Sequence, residues 1–218
     1  VKQECRKLLR EKIHFGKPAF VGVAAMLDEI VKSILTFGID SAIEAERKRV
    51  DVEHCLATGI ERTPYYALFG LTGVYTRAFN AALAAQAAKD RKAGEEAPEE
   101  EAVAEEEEDA GPSFLYYIRR ISKNILMSNT KYATASVGGK TLNFCADLVS
   151  EIVRNLAGSL RDILNVRKAR TIKYDLIRAT VSAIMKYNGQ DAEPLLTTMD
   201  TRVKNWTDSE AEKVKERA

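Results

Sequence analysis

The sequence has few of the residues that mark several common protein classes. Its 218 residues include three cysteines, two histidines, five prolines and twelve glycines. Such a composition argues against a disulfide-framed secreted scaffold and excludes a collagen-like chain. No apolar run approaches the ~20 residues that a membrane-spanning helix needs, and the first residues show no signal-peptide core. We therefore expect an intracellular, helix-rich protein with no membrane partner.

The cysteines and histidines do not form a recognisable site. Cys5, Cys55 and Cys145 lie far apart in apolar, helix-like patterns, and only His14 and His54 could join them as metal ligands. Neither histidine completes a known ligand spacing. We interpret the cysteines as small core residues in a reducing compartment, and His54 as a structural residue.

Patterns that mark enzymes are also missing. There is no phosphate-cradling glycine loop, no pair of carboxylates in an apolar setting and no cluster of ligating side chains. The sequence therefore predicts a protein that is not an enzyme, without a cofactor and without a small-molecule substrate.

Charge is distributed very unevenly along the chain. The formal net charge is +1, yet residues 93–113 contain ten acids and no bases, so the remainder carries +11. This stretch is low-complexity Glu/Ala sequence with Pro98 and Pro112, and we interpret residues 89–113 as a disordered acidic linker between two domains. The linker acts either as a solubilising spacer or as a phosphate imitation that competes with DNA for the basic surface.

A repeat relates the two halves. Residues 50–58 align with residues 172–180 at a constant offset of 122. Each copy follows a basic cluster, which is Arg47-Lys48-Arg49 in the first half and Arg167-Lys168-Ala169-Arg170 in the second. The repeat indicates two related structural units.

Each unit has a long amphipathic helix between shorter ones. Apolar residues recur at three- and four-residue spacing over residues 20–43, just after Pro18, and over residues 145–164. The predicted shorter helices cover residues 5–11, 53–61, 114–127 and 174–187. The long apolar stripe outruns its own flanking helices, so one unit cannot close a core alone. We expect an all-α protein in which the second unit supplies the missing partner.

Five segments of the second half carry a resemblance to a known family. They are the tyrosine-rich opening at residues 113–121, Val137-Gly138-Gly139-Lys140 at the first loop, the helix at 148–164, Arg170-Thr171-Ile172 before the third helix, and a predicted last helix at 194–215. In this order and spacing they resemble core histone 2B over residues 113–185, and the last helix is similar to the additional C-terminal helix of that histone.

The first half, residues 6–85, is also similar to a core histone. Histone 2A is favoured, with histone 4 as the alternative, by Lys7-Leu8-Leu9-Arg10, Lys17-Pro18-Ala19-Phe20, Arg49-Val50 followed by His54, and Leu68-Phe69-Gly70-Leu71-Thr72. A 2A-like half fused to a 2B-like half resembles the histone doublets of giant DNA viruses. The domains are then 1–88 (2A-like), 89–113 (linker) and 114–218 (2B-like with the C-terminal helix).

The chain departs from the family at several positions. Ala169 stands where a base is expected in the second loop of the 2B-like half, and Arg170 follows it. The acidic surface patch of histone 2A is reduced to Asp28, Glu29 and Glu61. Recruitment of proteins that bind this patch is therefore in doubt.

The resemblance implies a fold and a function. Two histone folds, each short-long-short, pair head to tail, which brings the second loop of one beside the first loop of the other. The implied function is wrapping and compaction of double-stranded DNA in a nucleosome-like particle, without sequence readout, together with histones of the 3 and 4 types or a fused doublet of them. The implied location is chromatin in the nucleus or, for a viral protein, the virion, the virus factory or the host nucleus. The alternative is a histone-fold subunit of a transcription or DNA-repair complex.

The resemblance also implies the DNA-binding residues. Arg49 and Arg170 are expected to enter the minor groove, and the other bases and one threonine to contact phosphates. The full set is Lys7, Arg10, Lys17, Arg47, Lys48, Arg49, Arg119, Arg120, Lys123, Lys140, Arg167, Lys168, Arg170 and Thr171. Packing rather than base stacking is expected of Tyr116, Tyr117, Tyr187 and Trp206.

Overall fold

A computed structural model describes residues 13–56, 65, 68 and 114–215, and this part of the chain is mostly helical. Its elements in chain order are β1 (His14–Phe15), α1 (Lys17–Glu44), β2 (Arg49–Val50), α2 (Val52–Leu56), α3 (Leu115–Ser128), a 3-10 turn (Thr130–Tyr132), β3 (Ser136–Val137), α4 (Gly139–Arg167), β4 (Thr171–Ile172), α5 (Tyr174–Tyr187) and α6 (Glu193–Lys215).

The described helices confirm most of the predicted ones. The short-long-short order is present in the second half, and α5 has the predicted bounds. Both long helices extend beyond their predicted stripes, because polar and glycine residues in a first turn carry no apolar signal; α4 begins at Gly139. The predicted helix at 5–11, the remainder of 53–61 and the acidic linker lie outside the described residues.

The core is built around α1. This helix buries 13 of its 28 residues, and it packs against α2, α3, α5 and most extensively α6. On α4 the buried side chains recur at three- and four-residue spacing, as the amphipathic pattern predicts. The largest fully buried side chains come from α1, α3 and α4, and include Ile30, Ile34, Ile118, Leu148 and Ile152. Side chains from the two halves therefore share one hydrophobic core.

The structure extends the sequence repeat over a whole unit. Elements β1 and β3 begin at residues 14 and 136, α1 and α4 at 17 and 139, β2 and β4 at 49 and 171, and α2 and α5 at 52 and 174. The offset is 122 in every pair. The spacing from the first strand to the last helix is thus the same in the two halves, which a repeat of nine residues did not establish.

Two short parallel strand pairs join the halves. Strand β1 pairs with β4 in the register His14↔Thr171, and β2 pairs with β3 in the register Arg49↔Ser136. Adding 122 to one residue of the first pair and subtracting 122 from the other gives the second pair. Each short strand before a long helix thus lies beside the strand that follows the long helix of the other half, and the two contacts are related by the same offset of 122.

Two of the cysteines are free thiols that are buried in the core. Cys55 on α2 and Cys145 on α4 are free thiols inside the core, as predicted, while Cys5 lies outside the described residues. Burial raises the pKa of the Cys55 thiol to about 12, and burial and the neighbouring Cys55 raise the pKa of the Cys145 thiol well above its usual value. Thiolate, the reactive form, is therefore scarce at neutral pH.

We predict that these two thiols are protected in the folded protein. In a Cys5→Ser variant, a thiol reagent at pH 8 is expected to label the native chain at least ~100-fold more slowly than the chain in denaturant, because both thiols are buried and protonated. Absorbance during labelling measures the two rates. Rapid labelling of the native chain would show that the halves do not share this core.

No helix in the described parts of the chain, residues 13–56 and 114–215, is both long and apolar enough to cross a membrane.

Candidate nucleic-acid interface

One strand pair lies at each end of α1, and each pair brings basic loops together. We define the β1·β4 end as residues 14–18 and 166–175, and the β2·β3 end as residues 44–53 and 136–140, which correspond by the offset of 122. Backbone hydrogen bonds hold each end: His14 N donates to Arg170 O (2.8 Å) in one, and Ser136 N donates to Lys48 O (2.8 Å) in the other. The loops are thus fixed beside the starts of α1 and α4.

All the predicted DNA-binding side chains that fall on described residues are exposed. They are Lys17, Arg47, Lys48, Arg49, Arg119, Arg120, Lys123, Lys140, Arg167, Lys168, Arg170 and Thr171. Lys7 and Arg10 lie outside the described residues. Of the exposed set, Arg119, Arg120 and Lys123 belong to α3 and the rest to the two ends. The bases predicted from separate parts of the sequence therefore form two loop clusters and one helix face.

The start of each long helix has the same construction. Gly16 and Gly138 precede α1 and α4 with φ/ψ of −62°/143° and −65°/148°. The amide of Gly16 donates to Ile172 O (2.9 Å), and the amide of Gly138 donates to Val50 O (3.0 Å). A helix start of this kind carries partial positive charge and favours an anion nearby.

The two arginines predicted to enter the minor groove are not equivalent. By the offset of 122, Arg49 corresponds to Thr171, and Arg170 corresponds to Lys48. Arg49 is also engaged, because its Nε lies 3.3 Å from a carboxylate oxygen of Asp51. The one-residue displacement noted at Ala169 therefore has a structural consequence: the two ends present arginine at different positions along the strand.

Two of the four aromatic residues assigned to packing are exposed. Tyr116 on α3 and Tyr187 at the end of α5 have 79% and 92% of their surface exposed, so that assignment is wrong for them. Tyr117 is partly buried, and its hydroxyl donates to Asp28; Trp206 is also partly buried. Tyr116 lies on the same face of α3 as the basic residues Arg119, Arg120 and Lys123, because residues three, four and seven positions apart share a face of a helix.

Asp28, one of the acids expected in the reduced acidic patch, serves inside the fold. It accepts a hydrogen bond from Tyr117 on α3 and lies 3.6 Å from a guanidinium nitrogen of Arg202 on α6. Burial and the bond to Asp28 raise the pKa of Tyr117 above its usual value. Asp28 therefore connects three helices. Of the other two acids expected in the patch, Glu61 lies outside the described residues, and Glu29 has no such interhelical contact assigned to it.

Asp51, Glu53 and His54 come close enough to hold a metal, with ligand atoms within 4.8 Å of one another. Their contacts give a structural explanation instead. The amide of Asp51 donates to His54 Nδ1 (3.0 Å), and the amide of His54 donates to Asp51 O (3.1 Å), which caps the first turn of α2. His54 is buried, which confirms its structural role.

Sequence reasoning missed one base at the interface. Lys173 is exposed and is the single residue between β4 and α5. It stands outside the cluster 167–170 and so escaped a search for adjacent bases. The repeat contained the signal, since its alignment places Lys173 opposite Asp51.

No protein-family model, curated protein or solved structure matches this chain. The interpretation of the interface therefore depends on its geometry and charge.

Proposed function

We propose that this chain is a fused pair of histone folds that binds and wraps double-stranded DNA without reading its sequence. The observation that carries the proposal is the pair of loop-to-loop strand contacts at the two ends of α1, β1 with β4 and β2 with β3. Each contact sets exposed bases beside the start of a 28- or 29-residue helix. The same proposal includes the type of each half: the first half is similar to histone 2A and the second half to histone 2B.

Binding would proceed through the phosphate backbone. Lysine and arginine side chains at the two ends neutralise phosphates, and the helix starts at Lys17 and Gly139 add partial positive charge beside them. Arginine side chains enter the minor groove where it faces the protein, which needs no base-specific contact. Arg119, Arg120 and Lys123 on α3 continue the basic surface. Affinity would then depend little on base sequence.

A unit of two related halves with DNA contacts at both ends can cover only part of a superhelical turn. We therefore propose that it acts with histones of the 3 and 4 types, or with a fused doublet of them, as part of chromatin or of a packaged viral genome. The alternative function, a subunit of a transcription or repair complex, requires an additional element that reads bases.

Nuclease digestion tests the proposal. The chain, assembled on long DNA with histones of the 3 and 4 types, is expected to protect a discrete length of DNA, and duplexes of different sequence are expected to bind with similar affinity. Omission of the chain from the assembly is the control, and should shorten the protected length. No discrete protection, combined with a preference for one sequence, would favour the transcription or repair subunit.

A further inference from the structure

The two ends share one backbone construction but differ in charge. The β1·β4 end contains five bases, Lys17, Arg167, Lys168, Arg170 and Lys173, and one acid, Asp175. The β2·β3 end contains four bases and also four acids, which are Glu44, Glu46, Asp51 and Glu53. One end is thus strongly basic and the other is balanced.

The difference is concentrated at corresponding positions. Glu46 and Lys168 both follow a long helix and have left-handed backbone, with φ of 56° and 51°. Asp51 and Lys173 both directly precede a shorter helix. The side chains therefore leave matching points of the backbone with opposite charge. These two exchanges account for a difference of four charges between the ends.

Acids also lie beside the basic loop of the β2·β3 end, and one of its four bases, Arg49, is paired with a carboxylate. Asp51 pairs with Arg49, and its carboxylate oxygen lies 3.2 Å from the point where a Cβ on Gly138 would be, beside the start of α4. Lys131 on the adjoining turn is paired with Asp40 (2.8 Å). A carboxylate already stands where a phosphate would approach, so DNA must compete with it.

Within the described residues, none of the five basic side chains of the β1·β4 end has a carboxylate within the 4.0 Å of an ion pair, whereas Arg49 at the other end has one. The neighbouring Asp162 lies 3.6 Å from Arg161. Every base at this end can therefore release counterions when it meets a phosphate.

We propose that duplex DNA binds the two ends unequally, with the β1·β4 end as the principal phosphate site and Lys173 as one of its phosphate-binding residues. This inference rests on the proposed function and adds to it an order of strength between the ends. A single phosphate contact is worth about eightfold in affinity near 0.1 M salt. Loss of two contacts at the principal end is then more costly than loss of two bases at the end where four acids offset the four bases.

Three double variants test the inequality. Lys168→Gln with Lys173→Gln removes two bases from the β1·β4 end; Arg47→Gln with Lys48→Gln is the matched change at the other end. Glu46→Gln with Asp51→Asn removes two acids. All but Asp51 are exposed, and Asp51 is half-buried, so circular dichroism and thermal melting check each fold. Fluorescence anisotropy measures binding to a labelled duplex of mixed sequence at several salt concentrations.

We expect the first variant to bind ~50-fold more weakly and its salt slope to fall by about 2. The matched variant should lose less than about fivefold, and removal of the acids should raise affinity about fivefold. Equal losses at the two ends, or no gain on removing the acids, would overturn the inequality while leaving DNA binding intact. Absence of duplex binding by the unaltered chain would instead overturn the proposed function.

Discussion

Raising the salt concentration from about 50 to about 200 mM is expected to weaken binding of this chain to duplex DNA by ~10³–10⁵-fold. This loss follows if about 6–10 phosphates are contacted, since each neutralised phosphate releases condensed counterions. The described residues offer eleven exposed bases among the predicted DNA-binding set, with Lys173 in addition, so such a number is available. Titrations at several salt concentrations give the slope directly.

Thermal melting at the same salt concentrations is the control, because the folded state has to persist throughout. Duplexes of different base composition should give parallel lines of log affinity against log salt. A slope near zero would contradict phosphate binding, and lines of different slope or wide separation would indicate base readout.

Replacing Gly22 by alanine is expected to lower the free energy of unfolding by about 3 kcal/mol. Gly22 lies on α1, and a Cβ there would come within 2.4 and 2.6 Å of two ring carbons of Tyr174. The ring cannot turn aside freely, because the Tyr174 hydroxyl donates to Asp200 (2.6 Å). The new methyl group must therefore separate α1 from α5 or break this bond. Denaturant unfolding measures the loss.

Gly158 provides the matched control for this substitution. It lies within α4, and a Cβ there would have no neighbour within 4 Å. Gly158→Ala should therefore stabilise the protein by about 0.5–1 kcal/mol, because alanine favours the helix and gains no clash. In a Gly22→Ala background, Tyr174→Leu should cost less than it does alone, which a double-mutant cycle measures. A shift of the same sign for both glycines would contradict this packing.

The helices were predictable because their signals are local. Apolar residues at three- and four-residue spacing mark α1 and α4 from the sequence, and α5 has the bounds that its own pattern predicts. The start of α4 was predicted too late because Gly139 and Lys140 add nothing to an apolar stripe. The exposure of Tyr116 was not predicted because an aromatic residue counts as apolar in a sequence pattern, whether its face of the helix is buried or exposed.

The basic clusters of the candidate interface were predicted from the sequence, but the balance of acids and bases at each end was not. Adjacent bases such as Arg47-Lys48-Arg49 are visible in a sequence, and every described member of the predicted set is exposed. The repeat already places Lys173 opposite Asp51, whereas the ion pair of Arg49 with Asp51 is a property of the folded loop. Each of the two adjacent clusters contains three bases, so a count by cluster makes the two ends equal. The difference is found only when acids and bases are compared at corresponding backbone positions.

The sequence by itself determined the all-helical class, the two related units and the need of each long helix for a partner, because helical periodicity and an uncovered apolar stripe are properties of the chain. Only the tertiary structure decided the register in which β1 meets β4 and β2 meets β3, that Asp28 connects three helices, and that Arg49 pairs with Asp51. These features join residues as far apart as Asp28 and Arg202. Contacts over such separations are set by the packing of the whole core, so no local pattern contains them.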